Sequence, residues 1–110
     1  MACAVSAFAS TYASEHFNTK SISISSTFTI TFKATTVDVC DKLGLKSYTL
    51  YTSSGTTVTS DAPEIYTKGS TFKTSIDLSS YVEKGKSYYV TAIFYADGET
   101  KSVTSSSRKY

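Results

Sequence analysis

Tryptophan and glutamine are absent from this 110-residue chain, and Pro63, His16, Asn18 and Met1 are each the sole residue of their type. With one histidine, next to Glu15, and no Gly-x-Ser-x-Gly turn, no serine or cysteine has a base placed to activate it. An enzyme is therefore not expected. Paired carboxylates for glycoside hydrolysis are disfavoured as well, because a chain this short, with only nine Asp and Glu, offers little cleft to exclude water. Two cysteines, without Cys-x-x-Cys or paired-histidine spacing, are too few donors for a zinc site, and no cofactor is expected. The net charge of +2 and the dispersed lysines argue against nucleic acid or an anionic membrane as partner. No apolar run approaches the roughly 18 residues of a membrane-spanning helix; the longest, Val90 to Tyr95, is interrupted by Thr91.

What the chain does contain is hydroxyl groups and rings. Ser and Thr supply 38 residues, Tyr nine and Phe six. Thr, Val, Ile, Tyr and Phe fit a pleated surface, whereas Ser competes with helical backbone bonds, so the composition favours strands. Fifteen aromatic residues provide enough apolar area to fold, which argues against disorder. The length suits one domain spanning 1–110, with 1–20 as a segment of unsettled structure.

Alternation marks the strands. Ile22 and Ile24 point one way and Phe28, Ile30 and Phe32 repeat the pattern, with Thr and Lys33 between them. The stretch Cys40-Asp41-Lys42-Leu43-Gly44 breaks it, Leu45 to Thr52 resumes it, and Ser53-Ser54-Gly55-Thr56 turns into Thr57 to Ser60. Pro63 lies in a loop with Asp61 and Glu64, and Ser70 to Leu78 forms a further strand. Tyr88 to Tyr95 is the strongest strand, with Tyr88, Val90, Ala92 and Phe94 on one face; Ala96-Asp97-Gly98-Glu99 then forms a hairpin into Thr100 to Ser107. Val5 to Phe17 suits either a short first strand or a helical turn. Seven short strands at such spacing predict an all-β, seven-stranded antiparallel sandwich of immunoglobulin-like type.

The stretch Val82-Glu83-Lys84-Gly85-Lys86-Ser87-Tyr88-Tyr89-Val90-Thr91-Ala92 resembles the L-x-P-G-x-x-Y-x-V-x-A signature of fibronectin type III domains. The resemblance extends to Tyr48-Thr49-Leu50-Tyr51 followed by Ser54-Gly55, while Lys84 replaces the corner proline and Phe28 or Phe32 the tryptophan of the second strand. It implies that Tyr88 is a tyrosine-corner residue whose hydroxyl bonds to backbone a few residues upstream. The whole chain also resembles small secreted proteins of Gram-positive anaerobes that carry one domain of unknown function, which implies export.

Ala7-Phe8-Ala9 is a cleavage-like pattern, so residues 1–9 are either the tail of a signal peptide or a first edge strand; either reading points to a secreted, extracellular chain. In that compartment Cys3 and Cys40 are expected to pair, the alternatives being two free thiols or loss of Cys3 with a leader. Closing the loop between them would restrict the unfolded chain by roughly 3 to 4 kcal/mol.

Two surfaces stand out. Strands running up and down would bring Asp38, Asp41, Asp61, Glu64, Asp97 and Glu99 to one pole, where a calcium ion could find oxygen ligands; ordinary turn chemistry explains the same acids and is the favoured reading. On the outward side of the strongest strand, Tyr89, Ile93 and Tyr95, with Tyr51 on a neighbouring strand, form an aromatic row suited to stacking on a sugar or anchoring a protein, or simply to stabilising the sheet. The expected function is a secreted or cell-surface binding or adhesion module for a protein or glycan. The alternatives are a structural spacer and a small secreted inhibitor or toxin.

Overall fold

Every second side chain of Ser87–Ala96 is buried, and this alternation organises the molecule. The computed structural model describes residues 16–110. It contains β1 (Phe17–Ile24), β2 (Thr29–Thr52), β3 (Thr57–Asp61), β4 (Ile65–Asp77), β5 (Ser87–Ala96), β6 (Glu99–Thr104) and β7 (Arg108–Lys109), with one turn of 3-10 helix at Ser79–Tyr81. All seven strands pair antiparallel along the path β1-β2-β5-β6, with β3 and β4 also on β2 and β7 on β5.

The long strand β2 gives the sheet its shape. Its first part, from Thr29 to Thr35, lies between β1 and the Thr71–Asp77 part of β4. Its second part, from Leu43 to Thr52, lies between β5 on one side and β3 with the start of β4 on the other. The register slips between Thr35 and Cys40, Cys40 and Leu43, and Leu45 and Ser47. Such irregularities bend a strand and increase its twist. The sheet therefore curls into a half-barrel, and Phe32 from the first part meets Tyr48 at 5.8 Å and Phe94 of β5 at 6.5 Å between ring centroids.

The break expected at Cys40–Gly44 is not a break. The strand runs through it, because backbone pairing continues where the side-chain alternation lapses: Val37 N–H bonds to His16 O at 2.9 Å, Cys40 pairs with Gly69, and Leu43 and Gly44 with Thr67 and Tyr66. Val37 and Val39 are each 69% exposed on this crossing segment. The strand expected from Ser70 likewise begins earlier, at Ile65, as the first part of β4.

A single core fills the curl. Phe28, Ile30, Phe32, Leu43, Leu45, Leu50, Val90 and Phe94 are fully buried. Each contributes about 1.5–3 kcal/mol relative to exposure, an upper figure because the unfolded chain is already partly collapsed. Phe28 sits in the β1–β2 turn at φ 56°, a conformation costly for a bulky side chain, and its ring is held between Tyr88 and Tyr110 at 5.6 and 5.2 Å. The β5–β6 hairpin turns at Asp97 and Gly98, with φ 42° and 95°, as Asp-Gly predicts.

Cys40 is 2% exposed and without a disulfide partner among the described residues, and its Sγ donates to Asp38 O at 3.7 Å. The bridge expected between Cys40 and Cys3 falls on Cys3, which, like Val5 to Glu15 of the unsettled first segment and the Ala7-Phe8-Ala9 pattern, lies outside the described residues.

Candidate functional site: the outward tyrosine face

Because Tyr88, Val90, Ala92 and Phe94 of β5 point into the core, Tyr89, Thr91, Ile93 and Tyr95 point out. Register carries the face onto neighbouring strands. Tyr51, Thr49, Ser47 and Gly44 of β2 lie opposite these four in turn, and Thr104, Ser102 and Thr100 of β6 flank Thr91, Ile93 and Tyr95. The result is a floor of hydroxyl groups with Ile93 in its middle and a pair of tyrosines at each end.

At one end Tyr51 and Tyr89 stack across the strands, ring centroids 5.0 Å apart and planes 21° from parallel. Beside them the β2–β3 turn and the segment before β5 enclose an open cleft of about 460 Å³ lined by Thr52, Ser53, Ser54, Gly85, Lys86 and Ser87. Ser53 N–H bonds to Ser87 O at 3.0 Å and ties its two walls together, and Lys86 is paired with Glu83 at 3.4 Å.

At the other end a missing side chain shapes the site. Gly44 stands between Tyr95 of β5 and Tyr66 of β4, and the two rings meet edge to face at 5.6 Å. Rings flanking a strand glycine commonly close over the gap that it leaves. The Lys42 ammonium lies 4.4 Å from the Tyr66 ring and 5.4 Å from the Tyr95 ring. Burial and the Glu64 carboxylate, which accepts the Tyr66 hydroxyl at 3.5 Å, push the Tyr66 phenol above its ordinary range. From Tyr89 to Tyr95 is six residues of strand, or about 20 Å.

The sequence-predicted residues Tyr51, Tyr89, Ile93 and Tyr95 thus share one face. Tyr66, Lys42 and Gly44 complete it and were not anticipated. Tyr66 escaped the sequence reading because it lies between the loop placed at Pro63 and Glu64 and the strand begun at Ser70.

Most of the six acids have partners within the fold. Asp97 reaches across its hairpin to accept the backbone N–H groups of Lys42 at 2.9 Å and Asp41 at 3.1 Å, which hold its carboxyl below the ordinary range. Glu99 accepts His16 N–H at 2.8 Å and pairs with Lys101 at 3.8 Å, while Asp41 meets Lys68 at 4.0 Å. Asp61 ends β3 and Glu64 lies in the β3–β4 connection, where Asp61 accepts Ala62 N–H at 2.9 Å and Glu64 accepts the Tyr66 hydroxyl at 3.5 Å. Asp38 is exposed on the crossing segment of β2. Among the described residues no group of three or more His, Cys, Asp or Glu side chains is placed to hold a metal ion.

Tyr88, on the inner side, accepts the Glu83 backbone N–H on its hydroxyl at 3.0 Å. Among the described residues no helix is long and apolar enough to cross a membrane. Comparison of the chain with protein-family models, curated proteins and solved structures finds no match.

Proposed function

We propose that this chain is a non-enzymatic binding module, exported from the cell, which engages a protein or glycan partner through the outward face of β2, β5 and β6. The observation that carries the reading is the placement of two tyrosine pairs, Tyr51 with Tyr89 and Tyr66 with Tyr95, at opposite ends of one outward, half-buried sheet face. Tyrosine offers apolar area with a polar tip and loses little rotamer freedom on contact, which suits recognition. The rest of the molecule serves as a scaffold that holds these rings in register.

The same proposal assigns the fold to the immunoglobulin-like sandwiches, close to fibronectin type III. Supporting it are the two sets of strands on either part of β2, with Phe32 packed across the core against Phe94, and the Tyr88 hydroxyl on the Glu83 N–H. Export rests on the Ala7-Phe8-Ala9 pattern and on the Ser- and Thr-rich composition.

A structural spacer is the second reading. It is favoured by one observation: each outward tyrosine already has a ring or cation partner within the fold. The test is binding of the purified domain to an array of polysaccharides, cell-wall fragments and matrix glycoproteins, alongside Tyr89→Ala/Tyr95→Ala. A hit weakened in the variant, with the melting curve of a folded protein, supports recognition by this face; the same hit in both proteins removes the face from the account.

A further inference from the structure

We infer that the outward face of the other part of the sheet, where Lys33 of β2 lies directly opposite Lys73 of β4, is a second binding site, and that it takes a phosphate or sulfate group carried on a hydroxyl-rich polysaccharide. This site is separate from the tyrosine face and does not depend on it.

Register brings the two lysines together. Phe28 O accepts the Leu78 N–H, so the even-numbered residues from Phe28 to Ala34 turn their backbone groups towards β4 and the odd-numbered ones turn theirs away. Lys33 and Lys73 are therefore a non-hydrogen-bonded pair, the kind in which opposed Cα atoms come closest, at about 4.5 Å. Phe32, Ala34 and Phe72 beside them are buried and both lysines are exposed, so the two side chains leave the sheet on the same outer side. Like charges directly opposite one another destabilise a sheet. Among the described residues neither ammonium has an ion-pair partner, since the ion pairs are those of Lys68, Lys86 and Lys101.

The neighbouring positions hold no acid to relieve the repulsion. The rows on either side are Thr31 opposite Ser75 and Thr35 opposite Thr71, and Ser21 of β1 lies on the far side of Lys33. The first acid on this face is Asp77, two rows away, and its carboxylate accepts the Ser79 N–H. Protection of a sheet edge accounts for one of the two lysines: a charge on a free edge discourages pairing with another chain, and from Thr71 to Asp77 β4 pairs only with β2 among the described residues. It does not account for Lys33, which lies on the middle strand of three.

The chemistry of the patch selects the ligand. An ammonium is a compact charge with three donors, suited to an anion whose oxygens point in several directions, whereas the planar carboxylate is matched by the guanidinium fork and no arginine stands here. A phosphate or sulfate between Lys33 and Lys73 replaces a repulsion with charge-assisted hydrogen bonds. The surrounding hydroxyls select the carrier, because each both donates and accepts and so matches sugar hydroxyls in either sense. Thr31 and Ser75 share one hydrogen bond at 3.0 Å and keep the rest of their capacity for a ligand. These positions offer no aromatic ring on which a nucleic-acid base would stack and no apolar side chain to enter a membrane.

The experiment is affinity electrophoresis of the 110-residue chain in gels containing dextran, dextran sulfate, phosphomannan or polygalacturonate. Retardation by dextran sulfate or phosphomannan and not by dextran is expected, and the polymer that acts identifies the ester. Lys33→Gln/Lys73→Gln is expected to weaken binding about tenfold or more, the loss of the charged donors. Lys68→Gln/Lys109→Gln removes the same charge elsewhere and should bind nearly as the parent does. Urea unfolding gives a second readout. At low salt without a binding anion the Lys33→Gln/Lys73→Gln variant should have the higher midpoint, because the repulsion is gone; phosphate or sulfate at fixed ionic strength should raise the midpoint of the parent more than that of the variant.

Failure of both ester polymers to retard the protein overturns the inference, as does retardation by polygalacturonate alone or equal retardation by uncharged dextran. Equal binding by the parent and the Lys33→Gln/Lys73→Gln variant removes the site, and an equal loss in Lys68→Gln/Lys109→Gln reduces it to net charge. A midpoint in the Lys33→Gln/Lys73→Gln variant no higher than that of the parent at low salt contradicts the repulsion on which the inference rests.

Discussion

Tyr88 and Glu83 are joined by a hydrogen bond from the Glu83 backbone N–H to the Tyr88 hydroxyl, 3.0 Å long, that fastens the start of β5 to the segment five residues before it. The Tyr88 ring is 2% exposed and packs edge to face on Phe28 at 5.6 Å, so hydroxyl and ring do separate work. Tyr88→Phe keeps the packing and leaves a partly buried N–H without its acceptor, which is expected to cost about 1–2 kcal/mol. Tyr88→Ala also opens a cavity and is expected to cost about 3–5 kcal/mol. Urea unfolding of the two variants separates these terms; equal losses would mean that the hydroxyl contributes everything and the ring nothing.

Gly44 occupies a position that no other residue fits. A Cβ there would run into the Ile65 carbonyl oxygen and lie 2.8 Å from Tyr66 Cα, and both obstacles are backbone of the adjoining strand. Gly44→Ala must therefore push β4 away from β2. Its expected cost is about 3 kcal/mol or more, at the upper end of overpacking because no side chain can rotate aside. Near-ultraviolet circular dichroism should lose intensity along with the urea midpoint, since the displaced strand carries Tyr66 away from Tyr95. A variant as stable as the parent would contradict the close approach of the two backbones.

These two sites bear on how far the sequence alone leads. The alternation in Ser87–Ala96 announced both the core residues and the outward row, because a strand with one buried face writes its period of two directly into the chain. Asp97-Gly98 announced its hairpin for an equally local reason, the positive φ that both residues tolerate. The continuity of β2 was not legible, because from Val37 to Lys42 its pairing is irregular and its side chains follow no period. Tyr66 and Gly44 were hidden for a related reason: they meet only through the pairing of β4 with the second part of β2, a contact between residues far apart in sequence. Likewise turn chemistry was legible at Asp97, but the commitment of its carboxylate to backbone N–H groups some 55 residues away was not.

That commitment makes stability depend on acid. The Asp97 carboxyl is held below its ordinary value, by the Lys42 N–H first and the Asp41 N–H next, so it binds protons more weakly folded than unfolded. Its contribution is complete above the unfolded value near 3.8 and is lost as pH falls through the lower folded value. Asp77, held down by the Ser79 N–H, acts in the same direction. The urea midpoint of the parent should therefore decline below about pH 4. Asp97→Asn, which has no proton to take up there, should start lower at neutral pH and decline less steeply. Parallel declines would show that the hairpin carboxylate is not among the groups responsible.

The Tyr51–Tyr89 stack separates the two readings of the outward face. If the rings are there to brace the sheet, their mutual contact is a term in folding, and a double-mutant cycle through Tyr51→Ala and Tyr89→Ala should give a coupling of about 0.5–1.5 kcal/mol, the range for an aromatic pair. Their cross-strand register and 5.0 Å centroid separation favour a value within that range. A binding face need not be energetically idle in the free protein, so coupling alone does not exclude recognition. The discriminating quantity is the ratio between the loss of stability and the loss of affinity in the same variants. Tyr89→Ala, measured by urea unfolding and by binding to the responsive ligand of the array, should lose affinity several-fold at a temperature where the variant remains wholly folded. Affinity that falls only in step with the unfolded fraction would assign the stack to the sheet and leave the partner to another surface.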